Sequence, residues 1–183
     1  VGNTDYLKTR LCEEILKIKD ESLKFIVQKS LDRIPPYFWT MSSSSTGKHH
    51  PKDEFAEAGE ILHTLRVCKI ADLIMESHPQ FINQDIVKAA CILHDGARLG
   101  LDWNEPADHT VDEHPMLMAD LFYIVAEEVG YTFAEDVRHA IEAHTGKWGD
   151  IQPHSLEAMV VHFADSIAAK YYMNELEEID ENK

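Results

Sequence analysis

The sequence lacks most of what would place it in a membrane or on a nucleic acid. Nowhere do about 18 apolar residues run together, and the opening VGNTDYLK has neither the basic nor the apolar stretch of a signal peptide. No membrane association is expected, and the reading is a soluble, cytoplasmic protein. Cysteine is scarce. Cys12, Cys68 and Cys91 are odd in number and show no CxxC spacing, which excludes a disulfide framework and suits reduced thiols packed in a core. Basic residues are outnumbered, 17 Lys and Arg against 33 Asp and Glu, for a formal net charge of −16. A field of that sign repels a polyanion, so long nucleic acid is excluded as a partner and small ligands or metal cations fit better. Alternating strand patterns and internal repeats are missing as well.

What remains is helical periodicity. Over residues 5–34, Leu7, Leu11, Ile15, Ile18, Phe25, Ile26 and Leu31 recur mostly at intervals of three and four, with a break near Asp20 and a stop at Pro35-Pro36. A second periodic run covers residues 53–77. Asn83 caps a third helix through Ile86, Ala90 and Leu93, which Gly96 ends. His114-Pro115 opens a run to Val129, with proline in the first turn where its missing N–H costs least. Thr132 and Glu135 fit a capping box for a helix reaching His144, and Ser155 starts a last helix through Tyr171 to about Leu176. With 183 residues, 44% of them hydrophobic, the chain is long enough for one core. The expectation is a single all-α domain of about six or seven helices. In it, N-terminal helices and a Ser-rich loop occupy residues 1–54, a helical core 55–176 and a charged tail 177–183.

Histidine carries the strongest chemical signal. One His-Asp pair is expected by chance in a chain of this composition, so His94-Asp95 means little alone. Its surroundings mean more. His63 in GEILHTLRV, His94-Asp95 in AACILHDGARLG, His114 in DEHPMLMAD, His144 in AIEAHTGKWG and Asp165 in VVHFADSIAAK mostly sit beside apolar helical stretches, where unpaired polar groups are costly. Divalent cations would satisfy them: each neutral imidazole offers one nitrogen, and a carboxylate such as Asp95 can bridge two ions.

The ordered pattern H…HD…H…H…D, with the words LHT, ILHD, EHP and HFAD, resembles the HD-domain superfamily of metal-dependent phosphohydrolases over roughly residues 55–172. The resemblance implies two divalent ions (Mn, Fe, Co, Ni or Mg). His63, His94, Asp95 and Asp165 would hold the first, and Asp95, His114 and His144 the second, with metal-activated water as nucleophile. It implies hydrolysis of a phosphoester or phosphoanhydride in a small nucleotide or related molecule. Sharing the motif are two alternatives, an HD-type 3′-exonuclease acting on short oligonucleotides and a diiron oxygenase. A further reading is a scaffold that binds no metal. Departures from the pattern are informative. Arg98 stands where relatives often carry lysine, and it can pair with a phosphate but cannot act as acid or base. Ala168 replaces the second acid of an ADxLDA word. The GYP word of cyclic dinucleotide phosphodiesterases is missing. A homo-oligomer remains open.

The stretch TMSSSSTGKHHPKDEF, residues 40–55, lacks the first glycine, the hydroxyl and the strand of a Walker loop. It reads instead as an ordered loop over the mouth of the site and is similar to Ser-rich words ahead of the first histidine in small HD proteins. Ser43, Ser44, Ser45, Thr46 and Lys48 are expected to contact phosphate, with Arg98 and Lys147 as further cations, and His49 to donate a proton to the leaving group. Trp39, Trp103 and Trp148 are the candidates for stacking on a base. His162, three residues before Asp165 on one helix face, is expected behind the metal ligands. His139 faces away from His144, and His78, His109 and His154 belong on the surface.

Overall fold

Asp20 divides the N-terminal periodic run as the spacing predicts. In the computed structural model of the protein, which describes residues 3–44, 50–77 and 79–170, α1 spans Asn3–Leu16 and α2 spans Glu21–Leu31. Between them the Asp20 carboxylate accepts the otherwise orphaned N–H groups of Ser22 and Leu23 at 2.9 and 3.1 Å. Five more helices follow: α3 (Gly59–Glu76), α4 (Gln84–Leu93), α5 (His114–Val129), α6 (Ala134–Glu142) and α7 (Leu156–Ala168). Short 3-10 turns lie at Pro36–Trp39, Lys52–Phe55 and Gly146–Trp148. No strand occurs among the described residues, and the fold is all-α.

Local chemistry explains most boundaries. The Asn83 side chain accepts from Asp85 N and Ile86 N to start α4, and Ser155 Oγ accepts from Ala158 N at 3.1 Å to start α7. Pro115 stands in the first turn of α5, which ends on Gly130 in the left-handed conformation. Two expectations are corrected. The run from residue 53 is not one helix: Lys52–Phe55 forms a separate turn and α3 begins only at Gly59, because Ala58 adopts a left-handed φ of 60° and a Cβ at Gly59 would stand 1.8 Å from Glu54 O. The Thr132 and Glu135 box does not form. Phe133 occupies the cap position of α6 without a side-chain bond, and the helix stops at Glu142, leaving His144 in the turn beyond. Residues 171–176, where the last helix was expected to end, and the tail lie outside the described residues.

α4 is the centre of the assembly. Every residue from Ile86 to Leu93 is buried, and the helix packs against α1, α2, α3, α6 and α7. A helix that is apolar all round can lie only inside such a shell. Its single interior cation, Lys88, is matched by Glu14 of α1 and Asp72 of α3, each at 2.7 Å. Cys68 and Cys91 are buried and free, as their reading as core residues requires, whereas Cys12, expected in the core with them, is exposed on α1. The packing brings the C-terminal end of α4, the first turn of α5, the end of α6, the second turn of α3 and the third turn of α7 to one place.

Candidate metal centre

That place holds six of the residues singled out from the sequence. His63 comes from the second turn of α3, His94 and Asp95 from the end of α4, His114 from the start of α5, His144 from just past α6 and Asp165 from α7. His63 and His94 are wholly buried, and Asp95, His114 and His144 nearly so. Donor atoms of His63, His94 and Asp165 form one group, and those of Asp95, His114 and His144 another, each close enough together for a single ion.

Three of the imidazoles are held in one tautomer by their own backbone. His94, His114 and His144 each donate Nδ1–H to the carbonyl three residues earlier, on Cys91, Val111 and Ile141, at 2.8, 2.7 and 2.8 Å. Each neutral ring therefore turns a bare Nε2 lone pair inward. The inward atoms crowd one another. His114 Nε2 and His144 Nε2 stand 3.3 Å apart and 3.1 and 3.4 Å from Asp95 Oδ1. His94 Nε2 faces Asp95 Oδ2 at 3.6 Å and Asp165 Oδ1 at 4.0 Å, and it is buried without a hydrogen-bond partner. Lone pairs aimed at carboxylates in a dry interior repel unless positive charge lies between them. The donor set of imidazoles and carboxylates fits divalent metal ions.

The electrostatics agree. Burial works to raise Asp95, yet the surrounding His94, His114 and His144 outweigh it and hold the carboxyl well below its ordinary range. Asp165 is lowered for the same reason, chiefly by His63. Burial drives His94 down to about 4, so that it is neutral at pH 7. At His63 and His144 burial is overcome by Asp165 with Glu54 and by Asp95, respectively, and both are raised. The pocket collects positive charge.

A hub of carboxylates that the sequence did not single out lies behind His63. Glu54 is fully buried and accepts from Ser43 Oγ and His50 Nδ1, both at 2.9 Å, and from Arg66 Nη1 at 2.5 Å. Its Oε2 lies 3.4 Å from His63 Nδ1, so that His63 spans Glu54 on one edge and Asp165 on the other at 3.0 Å. Arg66 also pairs with Asp53 through both of its terminal nitrogens. Burial pushes Glu54 up, but bonds from His50, His63 and Arg66 prevail and keep it ionised. At 3.4 Å the Glu54 charge favours a proton on the Nδ1 of His63, although that atom makes no close hydrogen bond.

Not every expected residue reaches the centre. Arg98 is 6% exposed: its terminal nitrogens donate to the carbonyls of Ser42 and Ser43, and its Nε lies 3.0 Å from Glu60. It fastens the chain at residues 42–43 instead of gripping a phosphate, because those carbonyls and Glu60 would otherwise be buried unpaired. Glu60 is pushed up to about 7, by burial first and by Asp95, against the pull of Arg98. Ser43 is likewise buried, its hydroxyl spent on Glu54. The carbonyl of Ser44 accepts from Ser42 Oγ at 3.1 Å. Ser45, Thr46, Lys48 and His49 lie outside the described residues, as does His78. Lys147 is exposed, with its ammonium 4.7 Å from the centre of the Trp148 ring. His162 donates Nδ1–H to the carbonyl of His144 at 2.7 Å, and its ring fills the space where a Cβ at Gly146 would stand 2.3 Å away. This contact holds the turn that carries His144. His139 stacks on His154 at 3.6 Å, away from the site.

The cluster opens to solvent through a cleft of about 1110 Å³, lined among others by His50, Lys52, Thr145, Trp148, Asp165 and Lys170. Asp165 belongs to both. Among the described residues, the lysines facing the cleft are Lys52 and Lys170, neither of which the sequence distinguished from other surface lysines.

Comparison with known proteins identifies the family. Residues 61–170, well over half of the chain, match the family described as HD domain. The chain belongs to the HD domain family. Over 119 residues this HD domain is 33% identical to the dihydroneopterin 2′,3′-cyclic phosphate phosphodiesterase of Methanocaldococcus jannaschii, an alignment covering 62% of this chain and 47% of that protein. The chain spans about half the length of that relative. No solved structure matches it. No described helix is long and apolar enough to cross a membrane.

Proposed function

We propose that this HD domain hydrolyses a phosphoester bond in a small phosphorylated molecule, with water as the nucleophile. His63, His94, Asp95 and Asp165 hold one divalent ion, and Asp95, His114 and His144 a second. The reading rests on one observation above all: three imidazoles locked by their own backbone turn Nε2 toward Asp95, an arrangement relieved by protonation of the rings or, for all three at once, by divalent metal ions. Bound there, divalent ions lower the pKa of a coordinated water and draw charge from a phosphoryl oxygen. The excess of imidazole over carboxylate in the set favours Fe, Co or Ni over Mg.

The chain's own residues do the rest. Lys52 and Lys170 bring positive charge to the cleft of an acidic protein, which attracts and orients phosphate oxygens. His50 turns Nδ1 to the buried Glu54 while lining the cleft, which leaves its Nε2 edge for the substrate. We assign to His50 the proton delivered to the leaving oxygen, given up from Nε2–H of the doubly protonated ring while Nδ1–H stays on Glu54, which leaves the ring neutral; His49 lies outside the described residues. The relative hydrolyses a cyclic phosphodiester on a pterin, and a nucleotide or cyclic phosphodiester of similar size fits the cleft. The three free cysteines suit a reducing compartment such as the cytoplasm.

The test is a panel of nucleotides, cyclic phosphodiesters and short oligonucleotides, supplemented with Mn, Co, Ni or Fe under anaerobic conditions, in which phosphate, pyrophosphate and monoester products are quantified. Metal-dependent release of one of these, abolished in Asp95→Ala with helicity retained, is expected. Oxygen consumption with an organic substrate and no phosphoester turnover would overturn the proposal.

A further inference from the structure

Of the three tryptophans, only Trp148 stands at the cleft. Trp39 packs edge-on against Phe38 at 5.2 Å and borders a separate groove between α1 and α2, and Trp103 sits on the loop between α4 and α5. Trp148 closes the 3-10 turn Gly146–Trp148 with its side chain 82% exposed, more than any other large hydrophobic side chain among the described residues. An indole left in water forgoes its burial energy, so such exposure at a cavity wall marks a contact surface. The turn that carries it is held firmly. His162 packs under Gly146, which has a φ of 55°, and Gln152 Nε2 donates to Gly146 O at 2.7 Å. His144 begins the same turn, so the indole is fixed relative to the candidate metal ligands. Lys147 Nζ, 4.7 Å from the ring centre, covers part of the indole and adds charge complementary to a phosphorylated ligand.

We infer that Trp148 is the platform on which a flat heteroaromatic ring of the substrate stacks while its phosphate lies toward Asp165, Lys52 and Lys170. The inference rests on the phosphohydrolase reading for its chemistry, but binding of the ring can be measured apart from turnover. A cleft of about 1110 Å³ is large enough for a nucleoside and its phosphate together. Aromatic stacking discriminates by the presence of a π face and not by the pattern of edge groups, so purines and pterins are both admitted and a ring-less phosphoester is not.

The experiment compares wild type, Trp148→Ala and Trp148→Phe in the full chain. With metal-supplemented protein, the ratio of kcat/KM for 2′,3′-cyclic AMP to that for glycerol 1,2-cyclic phosphate is expected to fall about tenfold in Trp148→Ala, mainly through KM, and to be largely rescued in Trp148→Phe. Calorimetric titration with AMP should show the same loss and rescue in affinity. Equal loss on both substrates, or AMP affinity unchanged in Trp148→Ala, overturns the inference. If wild type turns over neither substrate the phosphohydrolase reading is what fails, and the AMP titration still decides for or against the platform.

Discussion

Replacing Glu54 by glutamine tests the hub behind His63 with almost no change in shape. Glu54 and Arg66 are both essentially inaccessible to solvent, and breaking a buried ion pair typically costs about 3–5 kcal/mol. Arg66 keeps Asp53, which is one-third exposed, so the loss here falls at or below the low end, about 2–3 kcal/mol. A glutamine amide must also direct its NH₂ either at Arg66 or at the Ser43 and His50 donors, and each choice sets donor against donor. Because the carboxylate orients His63, metal affinity should drop about 10–100-fold. The pH dependence has a definite sign. Glu54 is held below its ordinary value of 4.5, so its contribution to stability is present above that value and is lost as pH falls through the lowered one. Glu54→Gln should therefore lose stability at pH 7 and show a shallower decline on acidification. Urea unfolding of chelator-treated protein between pH 3 and 7 (about pH 4.5 being the start of the window) and calorimetric titration with Mn²⁺ provide the two readouts. Wild-type unfolding midpoints together with wild-type Mn²⁺ affinity would refute the reasoning.

Two further outcomes follow from named contacts. His50→Gln should lower kcat about a hundredfold on esters with an alkyl leaving group but only a few-fold on a p-nitrophenyl ester, whose leaving group needs no proton; an equal loss on both would remove His50 from the chemistry. Lys88→Met should cost about 2 kcal/mol in urea unfolding, below the usual cost of breaking a buried pair, because Glu14 and the part-exposed Asp72 lose their buried cation but keep Lys17, while Lys88→Met with Glu14→Leu recovers a good part of it; a single variant as stable as wild type would show the Lys88 pairs to be worth nothing.

The helices were legible where local chemistry decides them. Asp20, Asn83, Ser155 and the His114-Pro115 start announce themselves through side chains that bond their own backbone or tolerate the first turn, and the apolar period points the same way. The turn at residues 52–58 was not legible, because its cause is the approach of Gly59 to Glu54 O, a contact that exists only after folding. The candidate ligands could be picked out since histidine beside apolar helix is unusual. Glu54, Glu60 and Arg66 are no less buried, yet nothing in the chain marks them among 33 acidic and 17 basic residues, most of which serve the surface. Arg98 misled for the opposite reason. Its position in the motif suggested a phosphate, whereas the fold surrounds it with the carbonyls of Ser42 and Ser43. Adjacent histidines at 49 and 50 look equivalent in sequence, and only the direction of the His50 ring toward Glu54 gives it a distinct place.

Metal stoichiometry bears most directly on the central claim. Protein stripped with chelator, reconstituted anaerobically with Mn²⁺ or Fe²⁺ and freed of excess ion should retain about two equivalents by elemental analysis, with anomalous peaks between His94 and Asp165 and between His114 and His144. Asp95→Ala should retain at most one. Reconstituted wild type that holds no metal, with the six side chains in place, would contradict the account.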